Sequence, residues 1–229
     1  DAGIIIPWTL YQMYGDTRII EGCYAAMERW LAYVREANSG FLRTERLNTN
    51  EGDWVSYNAD TPRDLLATAY WAYDALLMAR MARAIGREGD AGRYDALYAS
   101  IREAFIEAYV QPDGRVLGET QTGYLLPAER RTAAAQHLVE DIERRDWHLS
   151  TGFVGTPLLL PALAEAGYVD VAYRLLLQDT CPSWGYMIRQ GATTMWERWD
   201  GLAQDGTVWD PATPTFIHPE FGPIEGMNS

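Results

Sequence analysis

Between Thr61 and Gly86 apolar side chains recur at helical spacing on more than one face, and this run constrains the fold more than any other stretch. Leu65, Leu66, Ala69, Tyr70, Tyr73, Leu76, Leu77 and Met81 carry the pattern. Pro62 stands at the first helical position, where its missing N–H is no loss, and Gly86 closes the run. A helix apolar around so much of its circumference has to be packed on several sides. The partners are in the same chain. Thr17 opens a helix to Asn38, with Ile19, Ile20, Cys23, Met27, Trp30, Leu31 and Val34 at three- and four-residue steps and Ser39-Gly40 as its stop. A companion follows from Asp90 to Val110, closed by Pro112, Asp113 and Gly114. Further helices are expected over 127–145, over 155–166 and, more briefly, over 169–178, with Pro157 and Pro161 limiting how early the middle one becomes regular. No stretch sustains a period of two, and Asp205 to Ser229, with Pro211, Pro214, Pro219 and Pro223, reads as irregular or as short strands. The fold class is therefore all-α, an array of antiparallel helical hairpins recurring roughly every 30 to 45 residues. Such an array opens as a solenoid or closes as a toroid. The aromatic-rich loops favour closure, because a toroid's loops converge on one funnel.

Composition narrows the partners. With 48% hydrophobic residues over 229 positions the chain can bury a substantial core, read here as one domain over 1–229. A net charge of -13 with no basic patch argues against nucleic acid, whose phosphates call for a basic surface. All 19 basic residues are Arg, so a catalytic lysine or Schiff base is excluded. Cys23 and Cys181 are too few for a disulfide scaffold and read as small buried side chains. The three histidines are too scattered for a metal site, and no cofactor is expected. No apolar run reaches the roughly 18 residues that span a bilayer, so the chain reads as soluble, with no membrane partner. Its compartment is undetermined.

Chemistry is concentrated in Gly191 to Gly201, where Glu197 lies between Trp196 and Trp199 in a stretch short of charge. A carboxylate among indoles is partly desolvated, and the aromatic faces offer a platform for a sugar ring. The same residues support a second reading: Thr194 and Glu197 spell a capping box at a helix start. Local pattern leaves both open. Arg198 either supports Glu197 or pairs with Asp200. The polar segment Phe41 to Asp60 is a long loop containing Glu51-Gly52-Asp53-Trp54, and loops of that length usually have a task.

Several loop words carry a resemblance. The run His148 to Pro157, then Ala172 to Gln178, Pro182 to Met187 and Gly191 to Gly201, closely resembles the catalytic domain of bacterial α-L-rhamnosidases of glycoside hydrolase family 78. Pro7 to Tyr11, Tyr14 to Asp16, Gly52 to Trp54 and Thr68 to Tyr70 match in the same order. The resemblance implies an (α/α)6 toroid that hydrolyses terminal α-L-rhamnosides with inversion, using a Glu general acid and a Glu general base, and a rhamnose-containing glycoside as ligand. Glu197 matches the base. Trp54 matches an indole lining the rhamnose pocket, where an aromatic wall suits the methyl edge of a deoxy sugar. Asp53 either bonds sugar hydroxyls or caps a turn. Trp184, Tyr186 and Trp196 are candidates for further pocket wall, against plain packing. His148 reads as a capping or packing residue.

This chain also departs from the family pattern. The Arg- and Glu-rich segment that carries the family's general acid has no counterpart, nor does an Asn-His-Tyr word; His218, in Phe216-Ile217-His218-Pro219, resembles a local insertion instead. Gln121 to Tyr124 runs almost directly into Leu125-Leu126-Pro127, where about two further helical turns are usual, so a stunted helix beside a gap or an apolar surface is expected. The departures read as a partial toroid, incomplete at its N-terminal side and inactive without the remainder of its catalytic domain. Two other functions fit a helical array with aromatic loops: a carbohydrate-binding module, and a lyase or epimerase using Tyr or His as base.

Overall fold

A computed structural model describes residues 1–47, 52–126 and 131–202. Among these the regular structure is entirely helical, and no helix is long and apolar enough to cross a membrane. The expectations for Asp205 to Ser229, for His218, and for a helix start at Pro127 lie outside the described residues. The chain divides into two compact bodies, one formed by Asp1–Asn50 and Arg63–Val110, the other by Glu51–Pro62 and Gln111–Ser229.

The first body holds α1 (Ala2–Tyr14), α2 (Arg18–Ala37), α3 (Arg63–Ala84) and α4 (Glu88–Tyr109). Helix α2 buries Ile20, Tyr24, Met27, Leu31 and Val34, a stripe at alternating four- and three-residue steps. Helix α3 is buried nearly all round, with Leu65, Leu66, Trp71, Leu77, Met78 and Met81 inside; Tyr73, expected within, is 40% exposed. It packs along α4, which contributes Tyr94 and Ile101, and touches both α1 and α2. Pro62 precedes the helix, one position earlier than expected. The N-terminal helix α1 has no counterpart in the sequence reading. Its residues are apolar on every side and Pro7 stands inside it, so neither a stripe nor a clean start marks it. Gly15, in the left-handed region at φ 66, ends it by donating its N–H to the Tyr11 carbonyl.

The second body holds α5 (Gln121–Leu125), α6 (Arg131–Arg144), α7 (Thr156–Glu165), α8 (Val169–Leu176) and α9 (Trp184–Arg189). Its interior is made by Leu138, Ile142, Leu149, Leu159, Leu163 and Leu175. Helix α7 starts with Pro157 in its first turn and tolerates Pro161 further in, so the prolines delay regularity less than expected. Helix α5 is five residues long, capped by Thr120, whose hydroxyl accepts the Gly123 N–H at 3.1 Å. Beside this short helix lies a cavity of about 180 Å³ lined by Tyr124, Leu125, Leu138, Leu158 and Pro161, among others. Helix α9 begins at Ser183, whose side chain accepts the Tyr186 N–H; Trp184 and Tyr186 therefore lie on a short helix rather than in a loop.

Candidate active site

No helix begins at Thr194. From Ala192 to Leu202 the backbone is irregular, which removes the capping-box reading of Thr194 and Glu197: with no helix there are no orphan amides for the pair to cap. The half-buried Glu197 instead turns its Oε1 toward the indole of Trp54, whose Nε1–H points at it from 3.4 Å across 143 positions of sequence. The indole that donates to the carboxylate is thus Trp54, which the local spelling of Gly191 to Gly201 did not name.

Around this pair lies a small frame of loop backbone in the second body. Asp53 is 3% exposed, and its carboxylate accepts the N–H groups of Gly152 at 2.7 Å, Val154 at 2.7 Å and Gly155 at 3.3 Å, together with the hydroxyl of Thr122. Four donors fill the acceptor capacity of a carboxylate. The side chain is thus committed to the protein rather than left free for sugar hydroxyls. Two further backbone bonds fasten the same segments: Phe153 N–H to the Trp54 carbonyl at 2.9 Å, and Tyr57 N–H to the Ser150 carbonyl at 3.1 Å. Gly152 is required by the closeness of this approach, since a Cβ there would stand 2.1 Å from the Trp54 carbonyl oxygen and 2.7 Å from that of Asp53. From α5, Gln121 braces the far side: its amide donates to the His148 carbonyl at 3.0 Å and its oxygen accepts the Ser150 N–H at 2.8 Å.

Of the four indoles of the site, one is buried and three are half-buried. Trp199 is buried, donates Nε1–H to the Thr151 carbonyl at 2.7 Å, and meets Trp184 edge to face with ring centroids 5.3 Å apart. Tyr186 is 6% exposed, and its hydroxyl donates to the Leu202 carbonyl at 3.0 Å. Trp54, Trp184 and Trp196 are half-buried. Arg198 makes a two-pronged bond to Asp200, Nε–Oδ1 at 3.0 Å and Nη2–Oδ2 at 3.1 Å. His148 has both ring nitrogens engaged, Nδ1 with the Arg145 carbonyl at 2.9 Å and Nε2 with the Thr180 hydroxyl at 2.8 Å, the structural role expected of it. Burial, with the nearby Asp200 charge, pushes the Cys181 thiol up to about 11, so it is no thiolate nucleophile near neutral pH. Among the described residues no group of His, Cys, Asp and Glu could hold a metal ion.

Thr122, Gly152, Thr151 and Gln121 were not singled out by sequence reasoning. Their partners in the site lie 27 to 99 positions away, and only the pair of glycines in Gly152-Phe153-Val154-Gly155 signals a close backbone approach.

The family of this helical array follows from its likeness to known proteins. Over residues 1–224 the chain matches the sequence model of the bacterial alpha-L-rhamnosidase 6 hairpin glycosidase domain. The chain belongs to this family, and its hairpins form part of an α/α toroid. An α-L-rhamnosidase of Streptomyces avermitilis is 47% identical over 231 residues, covering 98% of this chain and 22% of the relative. The crystal structure of the Streptomyces avermitilis α-L-rhamnosidase complexed with L-rhamnose superposes with a TM-score of 0.86 at 49% identity, over 92% of this chain and 21% of that one. The native α-L-rhamnosidase of Aspergillus terreus gives a TM-score of 0.82 at 31% identity, over 90% and 26%. The chain thus spans about a fifth to a quarter of the length of these relatives.

Proposed function

We propose that this chain supplies the general base and part of the sugar pocket of an inverting α-L-rhamnosidase, with a rhamnose-containing glycoside as substrate, and that residues 1–229 work together as one part of its catalytic domain. One observation carries the reading: the Glu197 carboxylate is released from any helix cap and turned toward the Trp54 indole. Kinship with proteins named α-L-rhamnosidases supports it.

In this reading Glu197 takes a proton from a water on the face of the sugar opposite the leaving group, so that oxygen attacks the anomeric carbon as the glycosidic bond breaks. The leaving oxygen takes its proton from a carboxylic acid about 6.5 to 9.5 Å from Glu197, the spacing that leaves room for the water. No residue of this chain is assigned as that acid, so the chain alone is expected to show no turnover. The half-buried indoles Trp54, Trp184 and Trp196 provide apolar surface for the ring and its methyl edge, while the buried Tyr186 spends its hydroxyl on the Leu202 carbonyl.

The test is Glu197→Gln in the full-length polypeptide that carries this chain. Turnover of p-nitrophenyl α-L-rhamnoside should fall by about 10²- to 10⁴-fold, the share of one acid–base group. Proton NMR of the parent reaction should show the β-anomer first. Full activity in Glu197→Gln would point to a lyase- or epimerase-like base elsewhere, and sugar binding without hydrolysis in the parent to a binding module.

A further inference from the structure

We infer that Asp53 is a positioning residue for hydrolysis, acting on Glu197 and Trp54 through the backbone of Thr151 to Gly155 rather than touching the sugar. The inference rests on the role proposed above for Glu197. Both halves of the site are fastened to this one stretch. Trp54 is held by the Phe153 N–H on its carbonyl. The segment bearing Glu197 is held by Trp199, two residues further on, whose Nε1–H donates to the Thr151 carbonyl at 2.7 Å. Asp53 grips the same stretch on both sides of Phe153, at Gly152, Val154 and Gly155. The separation of Trp54 from Glu197 is therefore set by the stretch that the Asp53 carboxylate orders.

The backbone next to Trp54 adds an independent sign. Val55 sits in the left-handed region at φ 52, a conformation that a β-branched side chain resists. Strain of this kind persists only where surrounding bonds overdetermine it, and it gathers at functional loops. The Asp53 bonds, with Ser56 N–H on the Asp53 carbonyl at 3.1 Å, are what hold the turn.

Substituting Asp53 by Asn places an NH₂ where an oxygen now accepts, and whichever way the amide turns it faces at least one backbone N–H that cannot reverse. In the full-length protein, assayed well below each variant's Tm, Asp53→Asn should lower kcat for p-nitrophenyl α-L-rhamnoside by about 10- to 100-fold with KM little changed, since a displacement of roughly 1 Å suffices for such a loss. The effect should not multiply with that of Trp54→Phe, because both act on the same pair of groups. A raised KM at unchanged kcat would mean direct sugar contact and would overturn the inference, as would wild-type kcat or strictly multiplicative losses. If Asp53→Asn does not fold, Thr122→Val decides: it deletes one donor of four and should lower kcat several-fold, while Thr122→Ser restores it. Equal kcat in Thr122→Val and the parent would then sink the proposal. Glu197→Gln is run alongside. Activity there would refute the general base itself, whereas a dead Glu197→Gln beside a fully active Asp53→Asn refutes only the positioning role.

Discussion

Two buried aspartates, one in each body, are treated in opposite ways. Asp53, in a loop, is surrounded by four N–H and O–H donors. Asp74, in the middle of α3 and fully buried, accepts a bond from Trp30 Nε1 at 3.0 Å; its Oδ1 has no hydrogen bond among the described residues. Burial lifts the Asp74 carboxyl to about 6, against the pull of the Trp30 indole and Arg43. The difference follows from local structure. A helix has already used its N–H groups on its own carbonyls and has none to lend a side chain in its middle, whereas an irregular loop such as Thr151 to Gly155 presents several in a row. Loops, not helices, can organise a buried carboxylate, and the candidate site is built where loops meet.

Substitutions test that contrast. Gly152→Ala should have the largest effect, because its methyl group would overlap the Trp54 carbonyl: a loss of about 3 kcal/mol, read as a fall in Tm. Asp53→Asn should cost about 1 to 3 kcal/mol in urea unfolding, the penalty of leaving buried donors unmatched. Equal costs at Asp53 and Asp74 would break the comparison, since Asp74→Asn replaces a carboxyl that burial already drives toward its neutral form. The Asp74 shift also predicts a pH signature. The folded protein keeps this proton up to about 6 whereas the unfolded chain releases it near 3.8, so the stabilisation is full below about 3.8 and is lost as pH rises through about 6. Chemical unfolding at stepped pH should show this decline, and Asp74→Asn should flatten it. The smallest effect is expected at Gly22, an exposed position within α2 with open space around it: Gly22→Ala should stabilise by about 0.5 to 1 kcal/mol, visible as a small rise in Tm.

The helices were legible where a face repeats. Helices α2, α3 and α4 follow their apolar spacing to within two residues at most ends. Helix α1 hid because its residues are apolar on every side, and α5 and α9 because one or two turns cannot display a period. The site was legible in part. Glu197 and Trp54 stood out through the loop words shared with rhamnosidases, and the structure brings the two together. Thr194 and Glu197 show the opposite failure, a helix-start spelling where no helix forms, since four residues of pattern yield to the contacts of Arg198 and Trp199 that follow them. Asp53 was seen as a polar residue near the sugar or a turn cap, and its clamp could not be read, because its partners are 69 to 102 positions away.

The bond from Gly152 to Asp53 closes a loop of 99 positions. Entropy makes so long a closure late and slow, and short-range pairs such as α3 with α4 can form well before it. The loop that fixes Trp54 beside Glu197 should therefore order after those pairs: in a polypeptide still emerging from the ribosome, the Asp53 carboxylate waits for Gly152 to be made before it meets its donors. Protection of the Gly152 amide from hydrogen exchange should then serve as a clock for this late step of folding.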